Sequence, residues 1–460
     1  MTARPASLSH LSETASPRAV GLPDLAVLIV LLGMHASLAL MMRDHPALAK
    51  AHALVTLAVG LWGALRWPLA RVACVAGYIM GAEVLWRMSA APIPWEFAKY
   101  AIVLVFALAL LRNAASMRSG PLPLLYFILL TPSLFLLAAD HAIATSIAIQ
   151  MASFNLSGPL ALCVSVWFFS QVSLDGGELR RVIIALLCPI AGIAAIALVS
   201  TYSASDLTFT DESNLVTSGG FGPNQVSAVF GLGVLGSLLL AVDEKVRASI
   251  RVLMFALALL LGAQSAMTFS RGGLYTVGGA IAMSAVFLLR DARTRRTVLV
   301  GTPLVAVIVA AVLIPRMESI TAGALGDRFG DFNPTHRQDI AREDFRIWRE
   351  NPMLGVGPGM AKRLRQTQFR VTHTEYTRML SEHGILGVLA MLCLFAMAVL
   401  NYHAQDYVRG RGLAIAFSMW SLLAMLHIGM RIAAVSVIFG LAAARFVERG
   451  DRGPVTSCER

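Results

Sequence analysis

Apolar residues along this chain come in blocks of roughly 16–22, close to the ~20 residues a helix needs to cross the hydrocarbon of a bilayer. The blocks predict spans at 22–42, 50–65, 72–88, 98–112, 122–138, 157–173, 181–200, 225–242, 250–268, 273–290, 297–314, 384–400, 412–428 and 430–446. The fold class is therefore all-α: a polytopic helical membrane protein with about 12–14 transmembrane helices. A membrane β-barrel would show short alternating segments instead.

The linkers sort by charge. "RWPLAR" (66–71), "RNAASMRSG" (112–120), "DGGELRR" (175–181), "DEKVRASIR" (243–251), "RDARTRR" (290–296) and "VRGRG" (408–412) fall on one side, which the retention of positive charge makes cytoplasmic. Loop 43–50, with Arg43 and Lys50, runs against the rule. The opposite side receives 139–156, 201–224 and the long polar excursion 315–383. The expected layout is a disordered cytoplasmic tail (1–21), an N-terminal transmembrane bundle (22–314), a periplasmic loop with amphipathic helices (315–383), C-terminal transmembrane helices (384–446) and a cytoplasmic tail (447–460). Residues 1–21 lack the short apolar core and cleavage site of a signal peptide.

Composition agrees: 57% of residues are hydrophobic and 14% charged, against about 25% charged in soluble domains. The net charge of +11 would suggest nucleic acid in a soluble protein. Here the cations sit in short loops between apolar blocks, so they set topology and no nucleic-acid partner is expected. Of the five cysteines, Cys74, Cys163, Cys188 and Cys393 lie in apolar blocks, none of the five is in a CxxC pair, and they read as small buried hydrophobes.

Polar residues inside or beside the apolar blocks carry the candidate chemistry. In the long loop, "RQDIAREDFRIWRE" (337–350) is predicted helical, with Ile340, Ala341, Phe345 and Trp348 as its apolar stripe. Arg342, Arg346 and Arg349 share another face, and Glu343–Arg346 and Arg346–Glu350 are spaced to pair. "NPMLGVGPG" (351–359) ends that helix in a tight turn. Arg271, in "MTFSRGGLY" (267–275), lies between two spans, as a snorkelling side chain or as a ligand for an anion. "SGGFGPNQ" (218–225), with Asn224, is a turn at a helix N-terminus, either a connection or an anion site. Glu83 and Arg87 are spaced to pair inside a span, which suits helix packing. In "VTHTEYTRMLSEHGILG" (371–387), His373 beside Glu375 is a candidate general base, with Glu382 as the alternative. Arg378 stands one turn from Glu382 and is placed to pair with it. Basic groups, a glycine turn, a histidine–glutamate pair and an apolar bundle together suit a lipid phosphate or pyrophosphate, because the guanidinium fork binds phosphate bidentately. There is no DxD, HExxH or GxSxG, and no metal site or cofactor is expected.

Four stretches carry a family likeness: "GGFGPNQVSA" (219–228), "TFSRGG" (268–273), "FRIWRENPMLGVGPGM" (345–360) and "HTEYTRMLSEHGILG" (373–387). In content and order the chain resembles the O-antigen ligase and polymerase superfamily of bacterial membrane glycosyltransferases. "SFNLSGPLAL" (153–162) is similar to segments of exopolysaccharide polymerases. The resemblance implies a metal-independent, inverting transfer in the inner membrane, with the active site facing the periplasm. The donor would be an oligosaccharide on undecaprenyl pyrophosphate. The acceptor would be lipid A–core for a ligase, or a lipid-linked glycan for a polymerase of O-antigen or exopolysaccharide. By position, Arg271 would hold the pyrophosphate, His373 would serve the acceptor hydroxyl, and the arginines of 337–349 would contact phosphate or glycan. Asn224, Glu375 and Arg378 complete the expected substrate contacts, and Thr374 stands where the family usually has Asn or Ser. The competing class is a lipid-linked glycan flippase or secondary transporter using Glu83, Arg87, His427 and Arg431 as intramembrane charges.

Overall fold

The computed structural model describes residues 23–113, 120–140, 142–205, 207–210, 212–290, 306–330, 337–366 and 374–448, with 295, 298, 299 and 303 besides. The expected tail 1–21, most of 447–460, Cys458 and much of the expected span 297–314 lie outside these residues. The helices are α1 (Leu25–Asp44), α2 (Pro46–Arg66), α3 (Leu69–Met88), α4 (Phe97–Arg112), α5 (Leu122–Leu129), α6 (Leu134–Ala139), α7 (Thr145–Ser170), α8 (Gly176–Ser203), α9 (Pro223–Ala241), α10 (Ala248–Met267) and α11 (Arg271–Leu288). After them come α12 (Ile314–Thr321), α13 (Ala324–Gly330), α14 (Arg337–Glu350), α15 (Ala361–Leu364), α16 (Glu375–His403), α17 (Val408–Ala424) and α18 (Ala433–Leu441).

The protein is an all-α polytopic membrane protein. Among the described residues nine helices are long and apolar enough to cross a bilayer, with α5 and α6 counted as one. A tenth candidate, Ala306–Thr321, bends by 108° into α13. The bend falls at Ala322 and Gly323, both at positive φ. The remaining expected spans, 98–112, 273–290, 412–428 and 430–446, correspond to the shorter helices α4, α11, α17 and α18. Outward-facing Val27, Ile29, Val30 and Met34 on α1 are what a lipid-facing helix presents.

Lipid supplies no hydrophobic drive for helix–helix association, so close approach at small residues does much of the packing. A Cβ on Gly77 would lie 2.7 Å from the Val182 carbonyl oxygen of α8, which lets α3 and α8 meet backbone to backbone. Gly440 of α18 meets Ser165 of α7 in the same way. Asp175 caps α8, accepting from the Glu178 N–H (2.8 Å) while Glu178 accepts from the Asp175 N–H (2.9 Å). Just before it, Ser173–Asp175 pairs in parallel with Arg445–Val447. At the same end Asp243 binds Arg180 (2.9 Å) and Arg409 (3.2 Å). Three of the linkers grouped by charge thus share one end of the bundle.

The loop helix α14 departs from its expected stripe. Its buried positions are Ile340, Asp344 and Ile347, while Phe345 is exposed. Asp344 can be buried because Arg365 Nε donates to it (2.9 Å), with Thr377 Oγ1 (2.7 Å) and Ser381 Oγ (3.3 Å) also donating. The buried carboxylate therefore binds α14 to the first turns of α16.

Candidate functional site

The connection 425–432 between α17 and α18, with Ala433 that opens α18, is the hub of the opposite end. The Met425 carbonyl accepts the Glu375 N–H (2.8 Å), and Glu375 Oε2 accepts the Met430 N–H (3.3 Å). The Arg431 carbonyl accepts from Arg87 Nη1 (3.0 Å), and Glu83 Oε2 accepts the Ala433 N–H (2.6 Å). His427 Nε2 lies 2.9 Å from Thr276 Oγ1 of α11. A Cβ on Gly272 would strike the His427 ring, so only glycine lets α11 start here. The expected Glu83–Arg87 ion pair forms at 2.6 Å with both side chains buried, and Arg87 also donates to Gln225 Oε1 (2.8 Å).

Two of the sequence motifs meet at the N-termini of α9 and α11. Ser270 Oγ donates to Asn224 Oδ1 (2.7 Å), and Ser227 Oγ donates to the Ser270 carbonyl (2.7 Å). A helix start carries partial positive charge and unsatisfied N–H groups, so paired starts favour an anion. Arg271 opens α11 and donates to the Arg328 carbonyl (3.4 Å), while Arg328 Nε donates to the Phe269 carbonyl (3.2 Å). Arg337 joins them: burial, then the neighbouring Arg271 and Arg328 guanidiniums, push it below the ordinary arginine range.

The other two motifs dock on each other. α16 is broken at Gly384, whose φ of 61° and ψ of −139° are not helical. The break frees backbone groups, and the 351–359 turn takes them up. Val356 N–H donates to the Ser381 carbonyl (3.0 Å), Gly357 N–H to Glu382 (3.0 Å), and Ile385 N–H to the Pro352 carbonyl (2.8 Å). Gly355, Gly357 and Gly359 all take positive φ, which only glycine adopts readily. His383 is enclosed beneath the turn, its Nδ1 2.7 Å from Ser133 Oγ.

Between the hub, α7 and the start of α16 lies a cavity of about 600 Å³. Arg378 spans its floor. It pairs with Glu375 and with Glu382 (3.0 Å), and donates to Asn155 Oδ1 (3.0 Å). Of the residues expected to form the site, Glu375 and Arg378 line this cavity, together with Glu382. Arg271 and Asn224 do not line it: both sit at the α9–α11 junction, where Asn224 bonds to Ser270 and precedes the lining Gln225. Arg342, Arg346 and Arg349 do not line it. Arg342 pairs with Asp339 (3.3 Å), Arg346 pairs with Glu343 and Glu350 (2.9 Å each) as its spacing predicted, and Arg349 is exposed. His373 lies outside the described residues, immediately before the lining Thr374. Sequence reasoning missed Trp95, Asn155, Lys362 and Arg363, which the fold adds to the lining. Arg431, considered only for transport, lines it too.

No curated protein matches the chain. A family model described as O-antigen ligase matches residues 254–392, a stretch that holds "TFSRGG", the docked glycine turn and the start of α16. Over residues 254–392, about a third of its length, the chain is similar to the O-antigen ligase family.

Proposed function

We propose that the protein is a glycosyltransferase that moves a glycan from undecaprenyl pyrophosphate to a hydroxyl acceptor at the periplasmic face of the inner membrane. The observation that carries the reading is the convergence of all four motif stretches on one end of an apolar bundle. Three of them line a charged cavity, and the fourth bonds to Asn224 through Ser270 and carries Arg271 into an arginine cluster. A lipid-linked donor needs that arrangement, with its tail in hydrocarbon and its charged head at the bundle end.

In this reading Arg271, with Arg328 and Arg337, holds the pyrophosphate against the α11 start, and the guanidiniums take up charge as it leaves. His373 removes the proton of the acceptor hydroxyl. The oxygen attacks the anomeric carbon from the face opposite the pyrophosphate, the bond from that carbon to the phosphate oxygen breaks, and the configuration inverts. No metal is required. Glu375 and Arg378 shape the acceptor side, and the arginines of α14 steer the anionic donor across the outer surface.

The test is transfer by purified protein in lipid, supplied with undecaprenyl-pyrophosphate oligosaccharide, with and without lipid A–core. A ladder of longer glycans without lipid A–core identifies a polymerase, and product only with it identifies a ligase. Arg271→Ala and His373→Ala should abolish either product. Mutants matching wild type, or no product where another family member is active, would overturn the reading.

A further inference from the structure

Trp95, in the turn between α3 and α4, is 50% exposed and faces the cavity. Exposed tryptophans in membrane proteins commonly face lipid headgroups at the interface. This one is clamped. Arg87 Nη2 donates to its carbonyl (2.9 Å), and the Arg87 guanidinium carbon lies 4.5 Å from its ring centroid. Phe221 approaches it at 6.0 Å between centroids. Arg87 is itself fixed by Glu83 and Gln225. The indole is therefore a fixed plate, held from the bundle side, with its open surface toward the cavity.

The charge of the cavity is unbalanced. Lys362, Arg363, Arg378 and Arg431 line it against two carboxylates, Glu375 and Glu382, and both carboxylates are engaged by Arg378. Lys362 and Arg363 are exposed and have no side-chain partner among the described residues. Gln150 and Asn155 add amide groups to the wall. A flat aromatic surface suits the C–H face of a sugar ring, amides suit its hydroxyls, and the surplus cations suit a negative substituent.

We propose that this cavity is a subsite for an anionic saccharide unit. Its ring packs on Trp95, and its carboxylate or phosphate group sits on Lys362 and Arg363. Arg87 is the positioning residue that holds the plate. The placement of this subsite on the acceptor side rests on the glycan-transfer reading; the binding itself does not.

The experiment is calorimetric titration of the full chain in nanodiscs with trigalacturonate, glucose 6-phosphate, maltotriose and inorganic pyrophosphate. Trigalacturonate or glucose 6-phosphate should bind at least ~10-fold more tightly than maltotriose, a difference of about 1.4 kcal/mol. Whichever of the two binds better identifies the substituent as carboxylate or phosphate. Trp95→Ala should weaken that binding at least ~10-fold and Trp95→Phe much less, as expected for an aromatic contact. The exposed pair Lys362→Gln/Arg363→Gln should erase the preference over maltotriose with the unfolding temperature unchanged. Equal binding of maltotriose, or unaltered binding by the Lys362/Arg363 variant, overturns the proposal. So does pyrophosphate that displaces the saccharide and binds Trp95→Ala as well as wild type, because the cavity would then be a phosphate site only. Saccharide binding without transfer would sink the transferase reading alone, and transfer without this selectivity would sink the subsite alone.

Discussion

Gly355 and Gly384 meet backbone to backbone: a Cβ on Gly384 would lie 2.7 Å from the Gly355 nitrogen, and one on Gly355 would lie 2.5 Å from the His383 nitrogen. The turn after α14 and the break in α16 are thus two halves of one joint, each glycine leaving room for the other's chain.

Gly384→Ala should therefore be costly. Its positive φ alone is worth about 1–3 kcal/mol of strain in a residue with a side chain, and the new methyl meets backbone that cannot yield. Gly278→Ala, with nothing within 4 Å of the added carbon, should be neutral or slightly stabilising, as helix propensity favours alanine. Thermal unfolding in detergent and protease sensitivity of 351–366 would separate the two. Equal behaviour would refute the joint.

Glu343 and Asp344 are neighbours with opposite roles. Glu343 pairs with Arg346 near the surface, so Glu343→Gln should cost less than ~1 kcal/mol. Arg346 holds the Glu343 carboxyl below its ordinary range. Its small contribution is therefore present above the unfolded carboxylate pKa and fades as pH falls through the lower folded value. Asp344 is fully buried on Arg365, Thr377 and Ser381. Asp344→Ala leaves the Arg365 charge buried and should cost about 3–5 kcal/mol. Chemical denaturation of both variants would check the contrast.

Arg378 pairs with both Glu375 and Glu382. Arg378→Ala should destabilise the protein by about 3–5 kcal/mol, and Arg378→Met combined with Glu375→Gln and Glu382→Gln by far less. A triple variant no more stable than Arg378→Ala would show that the cluster does not act through its buried charge.

Arg271→Lys keeps a positive charge and loses the planar fork. If the residue grips pyrophosphate bidentately, transfer should fall by about 10²–10³, the range seen when one donor to a developing anion is removed. Unfolding temperature should barely move. Wild-type rates in this variant would assign Arg271 to anchoring at the membrane surface.

The spans were legible because an apolar block leaves a helix little choice in lipid, and the Arg346 pairs were legible because helical spacing is local. The buried face of α14 was misread for the opposite reason. Asp344 looks like a surface residue until Arg365, Thr377 and Ser381 arrive from later in the chain. The cavity was only half legible. Glu375 and Arg378 stood out as charges before an apolar run, whereas Trp95 and Asn155 belong to distant segments that only the fold unites. A polar Asn155 inside "SFNLSGPLAL" was a usable signal, since an amide within an apolar helix needs a partner, here Arg378.

The short ladder between Ser173–Asp175 and Arg445–Val447 has a consequence for assembly. One rail emerges from the ribosome early and must wait for the other until most of the remaining helices have been inserted. At ~5–20 residues per second the wait is on the order of ten seconds or more. Until then α7 and α18, which pack along each other above the ladder, cannot lock. Through that interval α7 is held only by α4, α5 and α6, which precede it, and its contact with α18 comes last.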